Sequence, residues 1–221
     1  MNDFELIRSK RRSLELRVLA DGRVQVRAPQ RASLRMVQAF VDSRRHWIAE
    51  QQRQQASRPR QRWRDGDPLA FRGEILRLDV CQGATRVEQQ GGYLQVRVAA
   101  PDQESGVEQA VHSWLRRQAR PLFEDSIDRQ FHWFAAQGHA RPTLRVKKMR
   151  TRWGSLSARG YINLNMVLLH YAPAVLDYVV MHELCHLQHM DHGPGFHALM
   201  DARMPDWRAR KALLEQPLYQ P

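Results

Sequence analysis

The chain has 221 residues, 43% hydrophobic and 26% charged, the balance of a globular protein with an ordinary core. No stretch approaches the roughly eighteen consecutive apolar residues of a membrane-spanning helix, so a span is excluded. Two cysteines, Cys81 and Cys185, allow at most one bridge, and the charged opening MNDFELIRSKRRSLEL lacks an apolar run of signal-peptide length. Together these features predict a cytoplasmic protein. The net charge of +12 is unevenly spread: residues 1–64 hold 16 Lys/Arg against 6 Asp/Glu. Such a segment attracts nucleic acid, nucleotides or an acidic protein at long range. Charge alone argues solubility, however, and a solvated arginine-rich face is the plainer reading.

In chain order, Leu14, Leu16 and Val18 alternate, Asp21-Gly22 supplies a preferred turn dipeptide, and Val24, Val26 and Ala28 repeat the period of two. That pattern predicts a β-hairpin. Beyond Pro29, Ser33 is placed to cap a helix carrying Val37, Phe40, Val41 and Ile48 at helical spacing. Residues 51–64 show no periodicity and read as an exposed connector. A second β section runs from Asp65-Gly66 through EILRLDV and TRVEQQ, turns at Gly91-Gly92, and continues as YLQVRVA.

After Pro101 a long helix is predicted, with Val107, Val111, Trp114, Leu115, Phe123, Ile127, Phe131 and Phe134 on its apolar positions. Pro121 inside it predicts a kink or a split. Strands return with TLRVKKM, WGSLS and YINLN, the last two joined by a turn at Ala158-Arg159-Gly160. Pro173 opens the helix PAVLDYVVMHELCHLQHM, Gly193-Pro194-Gly195 breaks it, and a last helix is expected over roughly 196–216. The predicted plan is α+β. Residues 1–100 form a basic, β-hairpin-rich N-terminal region. Residues 101–221 form the second, α+β region, with a small antiparallel sheet packed on the helix that Pro173 opens.

The segment HELCHLQHMDHGPGFH, residues 182–197, concentrates the chemistry. On a helix His182 and His186 lie about one turn apart on one face, so both imidazoles can converge on one cation. HExxH is the zincin signature of two metal ligands with a glutamate general base between them. Glu183, rotated about 100° from His182, falls beside the metal rather than on it. There it can take a proton from a water whose pKa the metal has lowered.

Three histidines are candidates for a third ligand. A straight helix carries His189 about 4.5 Å beyond His186 along the axis, a poor fit to a cation held between 182 and 186. His192 lies just before the Gly-Pro-Gly break, where the chain can fold back, and is preferred. His197 lies past the break; it and His189 are read as exposed or supporting side chains. Structural zinc sites fill all four positions and lean on cysteine, but Cys185 alone is near and fits as a small core residue. Three histidines with an open fourth position describe a catalytic site for Zn²⁺.

The stretches RTRWGSLSARGYINLN and APAVLDYVVMHELCHLQHMDHGPGF, with the opening hairpin, Trp47-Ile48 and Asp65-Gly66, resemble the YgjP-like metallopeptidase domain family of the zincins. The similarity covers nearly the whole chain. It implies a metal held by His182, His186 and His192, with Glu183 catalytic. Leu156 stands where the family has cysteine in its WGSCS segment, so that cysteine is not required here. Asp191-His192-Gly193 replaces Asn-His-Ser and removes a hydroxyl beside the third ligand.

Among flanking residues, Arg152 and Trp153 are candidate substrate-groove residues, since extended peptides can add to an edge strand; packing and ion pairing are the competing roles. Asn165 reads as satisfying backbone groups at a strand end. Tyr178 reads as core, with hydrogen bonding to an oxyanion as the alternative. The expected activity is zinc-dependent hydrolysis of a peptide or protein. Hydrolysis of a nucleotide or other phosphoanhydride at the same site, and a nucleic-acid-associated processing module, are the rivals.

Overall fold

The computed structural model describes residues 4–19, 22–56, 61–149 and 151–214. The chain forms two compact units, residues 1–60 and 61–221. In the first, β2 (Glu15–Val18) and β3 (Val24–Pro29) pair antiparallel as the predicted hairpin, with Leu16 opposite Val26. Asp21 of the predicted turn lies outside the described residues. A further strand, β1 (Phe4–Ser9), runs parallel to β3.

Ser33 caps α1 (Leu34–Asp42), its side chain accepting from the Met36 N–H. The chain breaks at Ser43-Arg44, and α2 (Arg45–Ala56) follows. Residues 51–56 are therefore helical rather than connector. Their glutamines and arginine are good helix formers, which an apolar-periodicity criterion does not register. Val24, Val26, Ala28, Val37, Val41 and Ile48 form this unit's core.

Several arginines of the basic segment have structural partners. Arg8 donates to the carbonyls of Gln30 and Ala32 at 2.9 and 2.8 Å. Arg11 and Arg17 both reach Glu15, and Arg45 reaches Asp42.

The second unit holds a four-stranded sheet in the order β4-β5-β7-β6, from β4 (Pro68–Phe71), β5 (Glu74–Gln82), β6 (Arg86–Gln90) and β7 (Tyr93–Val98). Central β5 and β7 are parallel, and the two outer strands are antiparallel to their neighbours. The β4–β5 turn places Arg72 and Gly73 at φ 54° and 82°, the type I′ geometry of tight hairpins. A β-carbon on Gly73 would lie 2.9 Å from Ala172 Cα, so this turn seats directly against the residue that opens the motif helix. The sheet thus belongs to the same unit as the motif helix.

Helix α3 (Glu104–Ala136) runs unbroken through Pro121, with all eight predicted apolar positions buried. Continuous burial of Ala119, Phe123 and Ile127 around the proline offsets the lost hydrogen bond, so the helix does not divide. Ser126 Oγ donates to Asp177 Oδ1 at 2.6 Å and Arg129 pairs with the same carboxylate at 2.9 Å, clamping α3 to α4 (Pro173–Cys185).

The last sheet has the order β8-β10-β9, from β8 (Thr143–Lys147), β9 (Gly154–Leu156) and β10 (Tyr161–Asn165). It is mixed rather than antiparallel. β9 and β10 form the predicted hairpin, but the connection before β9 reverses the chain, leaving β8 parallel to β10. A short 3-10 helix (Met166–His170) leads into α4.

Beyond α4, Pro194 opens α5 (Pro194–Arg203), and α6 (Trp207–Leu214) follows. The single terminal helix expected over 196–216 is thus two helices, divided ahead of Pro205, where the preceding residue is forced from helical geometry. No helix among the described residues is long and apolar enough to cross a membrane.

Candidate metal centre

Apart from Asp177 and His182, helix α4 is buried from Val175 to Cys185, as a helix threaded through a core must be. Within that surface His182 and Glu183 are the polar interruptions of the last turn. The helix ends at Cys185, not at residue 190 as the sequence predicts. His186 caps it, and the N–H groups of His186, Leu187 and Gln188 bond three residues back, to Glu183, Leu184 and Cys185. This 3-10 tightening turns His189 off the helical face and points its carbonyl at the site, where His186 Nδ1 donates to it at 2.9 Å. The bond fixes the ring and leaves His186 Nε2 as the nitrogen available to a metal ion.

His192 folds back from the loop onto the helix. Its ring centroid lies 4.9 Å from that of His182 and 4.8 Å from that of His186, and the first two rings are 5.1 Å apart. One nitrogen from each ring can be chosen so that all three lie within 4.8 Å of one another. His182 Nε2 and His192 Nε2 approach to 3.1 Å. That is close to the roughly 3.3 Å separating two nitrogens that share a tetrahedral zinc at 2.0–2.1 Å. Burial, then the neighbouring His186 and His192, push the His182 pKa down to about 4, so its lone pair is free at neutral pH. A set of three imidazoles suits zinc, and the residues fit the group.

Phe196, 2% exposed, floors the cluster with its ring 4.7–5.0 Å from each of the three imidazoles. Glu183, 5% exposed, faces β9. Its carboxylate accepts from the Leu156 N–H, and a β-carbon on Gly154 would stand 2.6 Å from Oε1. Burial pushes its pKa up to about 7 against the opposing pull of that N–H and of Arg152. Sequence reasoning missed Gly154 and Phe196. The signal for the first was a glycine inside a strand, which marks close approach of another group.

Of the other predicted residues, Arg152 is exposed and reaches Glu183 through its charge. Trp153 is half-buried with its ring edge-on to Tyr171 at 5.3 Å, a packing role. Asn165 is buried and donates to the carbonyls of Met149 and Arg152 at 2.8 and 3.1 Å, fixing the approach to β9. Tyr178 is buried, parallel to Trp207 and edge-on to His182. His197 stacks on Trp207, away from the three-ring cluster. Cys185 is fully buried with Sγ 3.4 Å from Met200 Sδ, and burial pushes its pKa up to about 12, the properties of an inert core thiol.

Residues 12–217 match the YgjP-like, metallopeptidase domain family, and the chain belongs to it. No curated protein sequence matches the chain. Among solved structures the chain is similar to the metallopeptidase zymogen jannalysin of Methanocaldococcus jannaschii, at 17% identity and a TM-score of 0.37. That similarity covers 42% of this chain and 94% of the other.

Proposed function

We propose that this metallopeptidase-family chain is a zinc-dependent peptidase in which His182, His186 and His192 hold the metal and Glu183 is the general base. The observation that carries the reading is the convergence of three imidazole nitrogens next to a buried carboxylate. When bound, zinc supplies Lewis acidity toward a peptide carbonyl and lowers the pKa of a coordinated water.

The chain's own residues do the rest. Glu183, with a pKa near neutrality, accepts the proton of the attacking water and passes it to the leaving amine nitrogen. A dication at the imidazoles draws that pKa back down and favours the basic form. Leu156 N–H and Gly154 set the carboxylate's position, and the His189 carbonyl orients His186. β9 is the edge of its sheet, so an extended peptide can add to its free side, with Arg152 flanking the scissile bond. His192 is exposed, which opens the site to solvent on that loop.

Glu183→Gln is the test. With unstructured peptides as substrate, the variant retains its metal and loses turnover by at least about a hundredfold. Turnover at the wild-type rate rules out Glu183 as the base.

A further inference from the structure

In the second unit, the start of α3 and the end of β8 border an open surface pocket of about 650 Å³ whose lining, among the described residues, shares no member with the histidine site. We propose that it binds a small molecule bearing an oxyanion of the phosphate class. Arg116, Lys147 and Lys148 line it, and no ion pair is formed by any of the three among the described residues. Elsewhere in the same unit some arginines find carboxylates, Arg64 with Glu104, Arg129 with Asp125, Arg141 with Glu124 and Arg208 with Asp201, while others such as Arg97 and Arg152 form no ion pair among the described residues.

The chain has four lysines, and two of them stand side by side at this pocket. Glu108 is the carboxylate of the lining, and it faces His112 at 3.5 Å rather than the three cations. Like charges that line one concavity raise the local potential and are offset by an anion. Burial first, and Lys148 next, hold His112 below its ordinary pKa, a shift that Glu108 opposes.

The hydrogen-bonding groups agree in sign. Ser113 Oγ accepts from Arg117 at 3.2 Å, which leaves its own hydrogen for an acceptor, and Ser105 presents a second hydroxyl. An arginine fork, two ammonium groups and two hydroxyls are the donors that phosphate oxygens use. Val146 and Met166 supply apolar lining, and the volume is that of a small-molecule site rather than of a bare ion. The basic character here arises from folding: residues 116 and 147–148 are distant in sequence and lie outside the charge-rich first 64 residues.

Inorganic pyrophosphate, titrated calorimetrically into the full chain, is the probe. Binding is expected both with the protein's metal in place and after metal removal. Lys147→Glu with Lys148→Glu weakens it about tenfold or more, and Arg116→Gln alone weakens it by a smaller factor. Arg31→Glu with Arg35→Glu, in the first unit, leaves it unchanged. Both lysines are exposed, so the paired variant keeps the wild-type melting temperature. Wild-type affinity in the lysine variant overturns the proposal. So does an absence of binding to the wild type, binding lost on metal removal, or binding lost equally in the Arg31/Arg35 variant.

Discussion

Gly154 and Glu183 are in direct contact across β9 and α4: a β-carbon on the glycine would lie 2.6, 2.9 and 3.0 Å from Oε1, Cγ and Cδ of the glutamate. The missing side chain is what gives the carboxylate its place. Gly154→Ala therefore displaces Glu183 while leaving the three histidines alone. Turnover falls about a hundredfold or more, the scale of a lost general base, whereas metal content is unchanged. Steady-state kinetics beside metal analysis checks this; activity within about threefold of wild type contradicts it.

Glu183 also has a stability cost that depends on pH. Burial raises its folded pKa to about 7 from the ordinary 4.5. The folded state then holds a proton that the unfolded state releases between those values. Its contribution is full below 4.5 and is lost as pH rises through about 7. Glu183→Gln removes the titration. In metal-free protein the variant is more stable than wild type at pH 8, by up to about 3 kcal/mol, and little different at pH 4. Urea unfolding at the two pH values measures it. An equal difference at both contradicts the assignment.

Phe196 lies against all three imidazoles and is 2% exposed. Phe196→Ala costs about 3–5 kcal/mol by opening a cavity. Phe196→Leu keeps most of the packing but loosens the rings, and zinc affinity drops by about 10–100-fold, the range seen when groups supporting metal ligands change. Competition with a metal chelator reads the affinity directly. Unchanged affinity in the leucine variant shows that the ring only fills space.

Asn165 pins the 149–152 segment through the carbonyls of Met149 and Arg152. Asn165→Asp replaces the amide donor with an acceptor facing those carbonyls. The variant loses about 2 kcal/mol or more of stability, read as a lower urea midpoint. Turnover falls with it because β9 carries both Gly154 and the Leu156 N–H. A stable variant with normal kinetics contradicts this role.

Much of the fold was legible because its signals are local. Alternation marked the β2–β3 hairpin, the apolar positions of α3 were read one by one, and His182 and His186 at a spacing of four lie on one helical face. What was not legible depends on partners distant in sequence. The parallel pairings of β1 with β3 and β8 with β10 leave no period in the chain. Helix α4 stops at Cys185 through three-residue hydrogen bonds that no Gly or Pro announces, and this moves His189 off the helical face and makes its carbonyl the acceptor for His186 Nδ1. Pro121 signalled a break that burial on both sides overrides. The contact of Gly154 with Glu183 joins residues 29 apart, and only the folded chain brings them together.

The central claim is that His182, His186 and His192 share one metal ion. Metal content of the purified, zinc-reconstituted chain at neutral pH, measured for the wild type and for His192→Ala, tests it most directly. The account predicts about one zinc per chain in the wild type and loss of most of it in the variant. Equal zinc in both proteins, or none in the wild type, would contradict it.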